Sequence, residues 1–394
     1  MNSTPIQGEC APGFEQVRAV FEDNFAERGE VGAAVAVYLR GEPVVDLWGG
    51  IADAQSGRPW ARDTLVCMMS VAKGVLALLV HRLASQGVIA LDQPITRWWP
   101  EFGAAGKHTI TLRQVLAHVA GLPYADGLPR GSLYDWSRVT EALAPQAPAF
   151  PPGEVRCYHS ATMGFIVGEV LRRATGTPIG ELLTAELCGP LGAEFRIGLS
   201  PSEQARCATM IPSEGNILDI ARAKPESLFG KMWFPIADDE DFNSIAWRSA
   251  QIPSANGHGT ARGVARLYSV VASQLAWGDP GPVGLPALRE GIAEQWAGRE
   301  HSTGMFWRQA LGFFLNWPPN RPMGPNPAAF GHSGAGGAQG FGDPDSGLGF
   351  CYSPNRMHSG IDIGPRATPL IEAAFACLQT LNLTSRNSLA KRTN

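Results

Sequence analysis

Apolar residues recur at helical spacing at Phe14, Val17, Phe21 and Phe25 behind Pro12 and Gly13, which predicts an opening amphipathic helix that Gly29 ends. Val31 to Tyr38 and Pro43 to Trp48 are rich in Val and aromatic side chains and flank Arg40-Gly41-Glu42, the pattern of an antiparallel hairpin. Val71, Val75, Leu78, Leu79 and Leu83 predict a second helix, closed by Gly87. From Leu91 to Leu199, prolines separate short helical patterns such as Thr111 to His118 and Thr162 to Ala174, and strand-like alternation is scarce. Ser200 to Gly259, with an acidic patch from Asp238 to Asp241, reads as an irregular cap or pocket wall. Thr260 to Leu275 is helical again. Strands follow over Gly312 to Trp317, Ala329 to His332, Ala338 to Gly342 and Gly347 to Tyr352, the last two joined by the turn sequence Asp343-Pro344-Asp345-Ser346. Pro369 to Leu381 predicts a closing helix, and the polar stretch from Thr384 a frayed tail.

Strands at both ends with helices between them predict an α+β fold: one central antiparallel sheet flanked by helices, with a mostly helical lobe inserted. The sheet domain is expected from residues 1–90 and 260–385, the lobe with its pocket-lining insertion from 91–259, and a polar tail from 386–394. A cleft is expected between the two lobes. The 394 residues suffice for a large core.

Composition narrows the partners. An apolar fraction of 44%, a charged fraction of 17% and a net charge of -4 describe a globular protein with no electrostatic reason to seek nucleic acid or an anionic membrane. No apolar run approaches the roughly 18 residues of a membrane span. Met1 to Gln16 shows neither a basic start nor an apolar stretch, so nothing reads as a secretory signal and a cytoplasmic location is expected. The seven cysteines are odd in number and lack a C-x-x-C pair, which argues against a disulfide framework or a zinc site. Cys67 and Cys157 read as packing residues, His118 and His258 as structural ones, and no metal or cofactor is implied.

The chemistry concentrates where a polar strip gives way to the second helix. Ser70 and Lys73 lie three apart, so in a helix they share a face about one turn apart and the amine reaches the hydroxyl. Spacing alone is weak, because Ser388-Leu-Ala-Lys391 repeats it in the tail; a capping serine and a lysine snorkelling to solvent explain such a pair equally well. What distinguishes Ser70 is the apolar helix that follows it. A lysine at the base of such a helix must pair or lose its charge, as a lysine base requires. Two further stretches suit a cleft: Cys157-Tyr158-His159-Ser160, which opens a helix, and Phe330-Gly331-His332-Ser333-Gly334-Ala335, whose small residues let a substrate approach the backbone. Trp233, Phe234, Trp307 and Phe313 are candidate walls, although core packing accounts for any one of them as well.

Ser70-x-x-Lys73, Tyr158-x-Ser160 and His332-Ser333-Gly334, in this order, resemble the three motifs of the serine β-lactamase and penicillin-binding-protein superfamily, and in particular the class C β-lactamase-like family VIII carboxylesterases. Val115 to Pro123, Phe150 to Gly153 and Ser254-Ala-Asn-Gly257 share the likeness. The resemblance implies a β-lactamase-like fold in which Ser70 forms an acyl-enzyme and Lys73 and Tyr158 share the proton transfers, either being the formal base. It implies an oxyanion hole from the N–H groups of Ser70 and Ala335, with Ser160, His332, Ser333, Gly334, Trp233 and Trp307 toward substrate. Where β-lactam-cleaving members carry asparagine and lysine, this chain has Ser160 and His332. Losing that fixed cation favours neutral substrates, so the expected activity is a carboxylesterase for esters of small acyl groups. The alternatives are an acyltransferase, an amidase or D-aminopeptidase, or a weak β-lactamase, and, in another class, a catalytically silent ligand-binding relative.

Overall fold

The hairpin read from Val and aromatic positions is the seed of the main sheet. The computed structural model describes residues 4–233, 242–361 and 363–390, with side chains as far as 381. In chain order its strands are β1 (Ile6–Cys10), β2 (Gly32–Leu39), β3 (Glu42–Asp53), β4 (Arg58–Pro59), β5 (Val66–Cys67), β6 (Phe195–Arg196), β7 (His258–Gly259), β8 (Trp296–Arg299), β9 (Phe306–Gln309), β10 (Phe314–Leu315), β11 (Phe330–Ser333), β12 (Gln339–Asp343) and β13 (Leu348–Pro354). Among the described residues the main sheet runs β1-β3-β2-β13-β12-β11-β10-β9-β8, antiparallel throughout, with β4 on β3. The seam between the two ends of the chain is β2 on β13, where Val37 faces Phe350 and Ala36 faces Cys351. This is the β-lactamase-like α+β architecture expected of the sequence.

Helices cover the sheet. Glu15–Glu27 packs on the terminal helix Gly364–Ala390, and Ala261–Trp277 crosses β2, β12 and β13. The Val71–Ser85 helix lies inside, against β11, with Val75, Leu76, Leu78, Leu79 and Val80 out of solvent. Each such side chain contributes about 1.5–3 kcal/mol by burial. Close packing demands Gly74: a Cβ there would stand 2.1 Å from the Tyr268 hydroxyl on the crossing helix. Residue 74 thus lets the helix sink far enough to bury its neighbour Lys73.

Several elements differ from the sequence reading. The chain opens on β1, paired with β3, before its first helix, because alternate exposure over five polar-rich residues leaves little apolar signal. The β8–β9 hairpin also escapes the pattern: its strands are four residues each at the sheet edge. The expected Gly312–Trp317 strand shortens to Phe314–Leu315, and β7, paired with β5 on one side and β6 on the other, places a small sheet inside the region expected to be helical. The last helix starts at Gly364 and continues to Ala390, into the polar stretch expected to fray. The Asp238–Asp241 patch lies outside the described residues.

The chain ends are tied by a buried ion pair. Arg366 donates to Glu30 at 2.8 Å, with the two side chains 5% and 0% exposed, and Glu30 also accepts from the Tyr352 hydroxyl. Removing one member strands the other's charge, so Arg366→Ala is expected to destabilise the protein by about 3–5 kcal/mol. Urea unfolding of the two proteins measures the difference.

Candidate active site

Ser70 precedes the first turn of the Val71–Ser85 helix, and its side chain makes no capping hydrogen bond. The hydroxyl is therefore not consumed by the helix. Met69 before it has φ +48°, a left-handed conformation that costs a non-glycine residue about 1–3 kcal/mol and turns the chain sharply from β5 into the helix.

Lys73 is fully buried. Its Nζ lies 3.2 Å from Ser70 Oγ and donates to the carbonyls of Ser160 at 2.6 Å and Ser254 at 2.8 Å. Burial drives its pKa well below the ordinary 10.5. Two N–H groups satisfy the two carbonyls, so a neutral amine retains a lone pair for the Ser70 proton. The snorkelling alternative does not describe this lysine.

Tyr158 lies beneath the amine, with Lys73 Nζ 4.7 Å from its ring centre. Burial raises its pKa, a hydrogen bond from Ser70 and the charge of Arg321 oppose the rise, and the charge of Glu300 adds to it. The ring is held by His118 at 4.8 Å and edge-on by Trp307 at 5.2 Å. His118 Nδ1 accepts the His159 N–H at 3.1 Å. Burial takes His159 down to about 4 and holds His118 and His332 well below the ordinary histidine value.

His332 Nδ1 lies 2.7 Å from the Ser333 carbonyl, which places the ring proton there and leaves Nε2 as an acceptor. Beyond β11 the chain turns through Gly334, whose N–H donates to the Ala338 carbonyl at 2.7 Å. A Cβ at residue 334 would stand 2.1 Å from the Met68 carbonyl, so glycine alone lets this turn approach the nucleophile segment. Among the described residues, neither the Ser70 nor the Ala335 N–H donates a backbone hydrogen bond.

These groups meet in a narrow cleft of about 50 Å³, open to solvent, that Ser70, Tyr158, His332, Ser333, Gly334 and Ala335 line. Trp233 and Trp307 stand on its wall as expected, beside Ile217, Phe229 and Met232. Two expectations are corrected. Ser160 is buried, gives its carbonyl to Lys73 and does not line the cleft, because the packing around the Lys73 amine encloses it. Phe313 is core, stacked with His81 and edge-on to Phe330. Phe234 lies outside the described residues. His258, with Nδ1 2.7 Å from the Asn256 carbonyl, remains structural. The thiols of Cys67 and Cys157 are pushed up by burial, as packing residues should be.

Sequence reasoning missed Ser254, Glu300, Ser302, Thr303, Phe314 and Arg321. Ser254 had a signal, its place in Ser254-Ala-Asn-Gly257; the others are ordinary residues that the β8–β11 edge folds over the cleft. Arg321 lies flat on Trp307 and Phe314, 4.5 and 4.2 Å from their ring centres. Chemically, a serine hydroxyl beside a neutral amine and a protonated phenol, with two N–H groups on the same cleft, can carry an acyl group.

The Beta-lactamase family model matches residues 17–373, and the chain belongs to that family. It is similar to the "Esterase/beta-lactamase LipL" of Mycobacterium tuberculosis (strain ATCC 25618 / H37Rv), 33% identical over 375 residues that cover 90% of this chain and 84% of LipL. It is also similar to "Esterase EstB" of Burkholderia gladioli, 35% identical over 210 residues, covering 49% of this chain and 53% of EstB. Among solved structures, the crystal structure of a family VIII carboxylesterase superposes with a TM-score of 0.87 at 38% identity, over 95% of this chain and 100% of that one.

Gly334→Ala is expected to slow acylation of Ser70 by an activated p-nitrophenyl ester by about 10²-fold, the cost of a displaced oxyanion donor. Stopped-flow acylation rates measure this, with circular dichroism confirming an unchanged fold.

Proposed function

We propose that this protein is a serine carboxylesterase that cleaves esters of small acyl groups through an acyl-enzyme on Ser70. The observation that carries the reading is a fully buried lysine amine 3.2 Å from a serine hydroxyl that does not cap its helix. The esterase names of LipL, EstB and the family VIII carboxylesterase support the substrate class.

In the first half-reaction Ser70 Oγ attacks the ester carbonyl carbon as its proton passes to the neutral Lys73 amine. The oxyanion forms at the N–H groups of Ser70 and Ala335, each donor worth about 3–4 kcal/mol. The C–O bond then breaks, Tyr158 gives its hydroxyl proton to the departing alkoxide, and Lys73 returns a proton to Tyr158. Water retraces the path: as its oxygen attacks the acyl carbon its proton passes to Tyr158, which hands its own proton to neutral Lys73, and Lys73 then gives that proton to Ser70 Oγ as the acyl C–O bond breaks. Lys73 as base is favoured because burial moves lysine toward neutrality and tyrosine away from ionisation.

The cleft favours uncharged substrates. His332 stands where β-lactam-cleaving relatives carry lysine, and burial keeps it neutral. The apolar wall of Ile217, Phe229, Met232 and Trp233 suits a short acyl or alcohol chain. Among the described residues no helix is long and apolar enough to cross a membrane.

A phosphonate probe is expected to label Ser70, with Ser70→Ala neither labelled nor active; full activity in Ser70→Ala would remove the mechanism. Activated esters of two to four carbons should turn over far faster than a chromogenic cephalosporin or a D-amino-acid amide, and the reverse order would reassign the substrate class. A neutral base and a protonated phenol also dictate the pH profile. kcat/KM should rise through an acid limb below the ordinary lysine value of 10.5 and fall only above the ordinary tyrosine value of 10.0. Lys73→Arg, whose guanidinium stays charged, should lose about 10³-fold or more in kcat.

A further inference from the structure

Glu300 follows β8, is 1% exposed, and takes no part in the chemistry above. Its Oε1 accepts the Tyr158 N–H at 2.9 Å, the Ser302 N–H at 2.9 Å and the Ser302 hydroxyl at 2.8 Å. Its Oε2 lies 2.9 Å from the same hydroxyl and accepts the Thr303 N–H at 2.8 Å and the Thr303 hydroxyl at 2.7 Å. Five donors, three N–H and two O–H, converge on this one carboxylate, enough to occupy all of its lone pairs.

Bonds to Ser302 and Thr303 close the turn between β8 and β9, and a hairpin needs no more. The bond to Tyr158 is different in kind: it spans 142 residues and reaches the backbone of the residue whose hydroxyl is hydrogen-bonded with Ser70. Ser302 and Thr303 meanwhile line the same cleft as Ser70 and Tyr158. One carboxylate therefore fixes both the tyrosine and the wall opposite the nucleophile.

We propose that Glu300 is the positioning residue for Tyr158, holding the backbone of that residue so that its phenol stays beside Ser70. The inference rests on the acyl-enzyme reading of the site. The groups that face Tyr158 are Lys73 and Ser70 from the nucleophile helix, His118 from the lobe, His332 from β11, Arg321 from the turn before β11, and Glu300. The three histidine and lysine side chains among them are driven toward neutrality by burial, so Glu300 and Arg321 supply the fixed charges. Negative charge at Glu300 disfavours a phenolate, and positive charge at Arg321 favours one. The carboxylate thus sets the geometry through the Tyr158 N–H, and its charge adds to the burial that already keeps the phenol protonated.

The test uses the full chain and compares Glu300→Gln and Glu300→Asp with wild type, all rates being scaled to phosphonate-titrated Ser70. Glu300→Gln is expected to lower kcat by about tenfold or more, with KM within about threefold, as a misplaced acid should. Its alkaline limb should move to lower pH, because the charge opposing Tyr158 ionisation is gone. Glu300→Asp keeps the charge but is one methylene short: kcat should fall while the alkaline limb stays in place. Wild-type kcat and an unmoved limb in Glu300→Gln would overturn the proposal, even with a lowered melting temperature, since a merely structural carboxylate gives that result. If Glu300→Gln does not fold, Glu300→Asp decides, and wild-type kcat in it would overturn the positioning role. Failure of the wild type to label at Ser70 is a separate outcome: it removes the acyl-enzyme reading and this role with it.

Discussion

Everything in the site depends on burying one amine. An ammonium in a protein interior costs several kcal/mol unless it is compensated, and Lys73 has no solvent and two neutral carbonyls. The fold resolves the cost by letting the proton go. The acceptors come from Ser160, beyond Tyr158, and from Ser254, on a separate loop, so satisfying the lysine fixes three chain segments around Ser70. Ser254 is itself pinned, its hydroxyl donating to the Ser160 and Ala161 carbonyls at 3.0 and 2.9 Å. Structure and reactivity share one cause here, because the packing that buries the lysine also lowers its pKa toward the free amine.

The same desolvation acts on the neighbours with the sign their chemistry dictates. It pulls His118, His159 and His332 down and pushes Tyr158 up, so the groups around the serine are driven toward neutrality while remaining able to donate or accept. Apart from Arg321, which lies over Trp307 and Phe314 on the cleft wall, these groups bring no charge for a substrate to balance. This is the physical content of the His332 substitution: a lysine would bring a cation to the cleft, whereas this histidine, its Nδ1 proton committed to the Ser333 carbonyl, brings a lone pair.

Rigid elements deliver the parts. The helix places Ser70 and Lys73 one turn apart; the left-handed Met69 aims the serine out of the small β5 sheet; and β11, in the interior of the large sheet, ends in the turn that touches Met68. Placement of this kind allows a shared acyl-transfer site to be combined with differing cleft walls, which here come from the Ile217–Trp233 stretch and from the β8–β9 edge.

The hydrophobic pattern by itself determined the hairpin of β2 and β3, the Val71–Ser85 and Ala261–Trp277 helices and the strands around His332, because long or strongly alternating segments carry their period in local sequence. The order Ser70, Lys73, Tyr158, His332 likewise identified the family that the comparisons establish. Short edge strands such as Trp296–Arg299 were not legible, since four residues give too few repeats to show a period. Tertiary structure alone decided that Lys73 is buried while Lys391 shares its spacing in a polar stretch, that Ser160 contributes a carbonyl rather than a hydroxyl, and that Glu300 reaches Tyr158 across 142 residues. The reason is common to all three: desolvation and hydrogen-bond partnership depend on what packs around a group, and those neighbours come from distant parts of the chain.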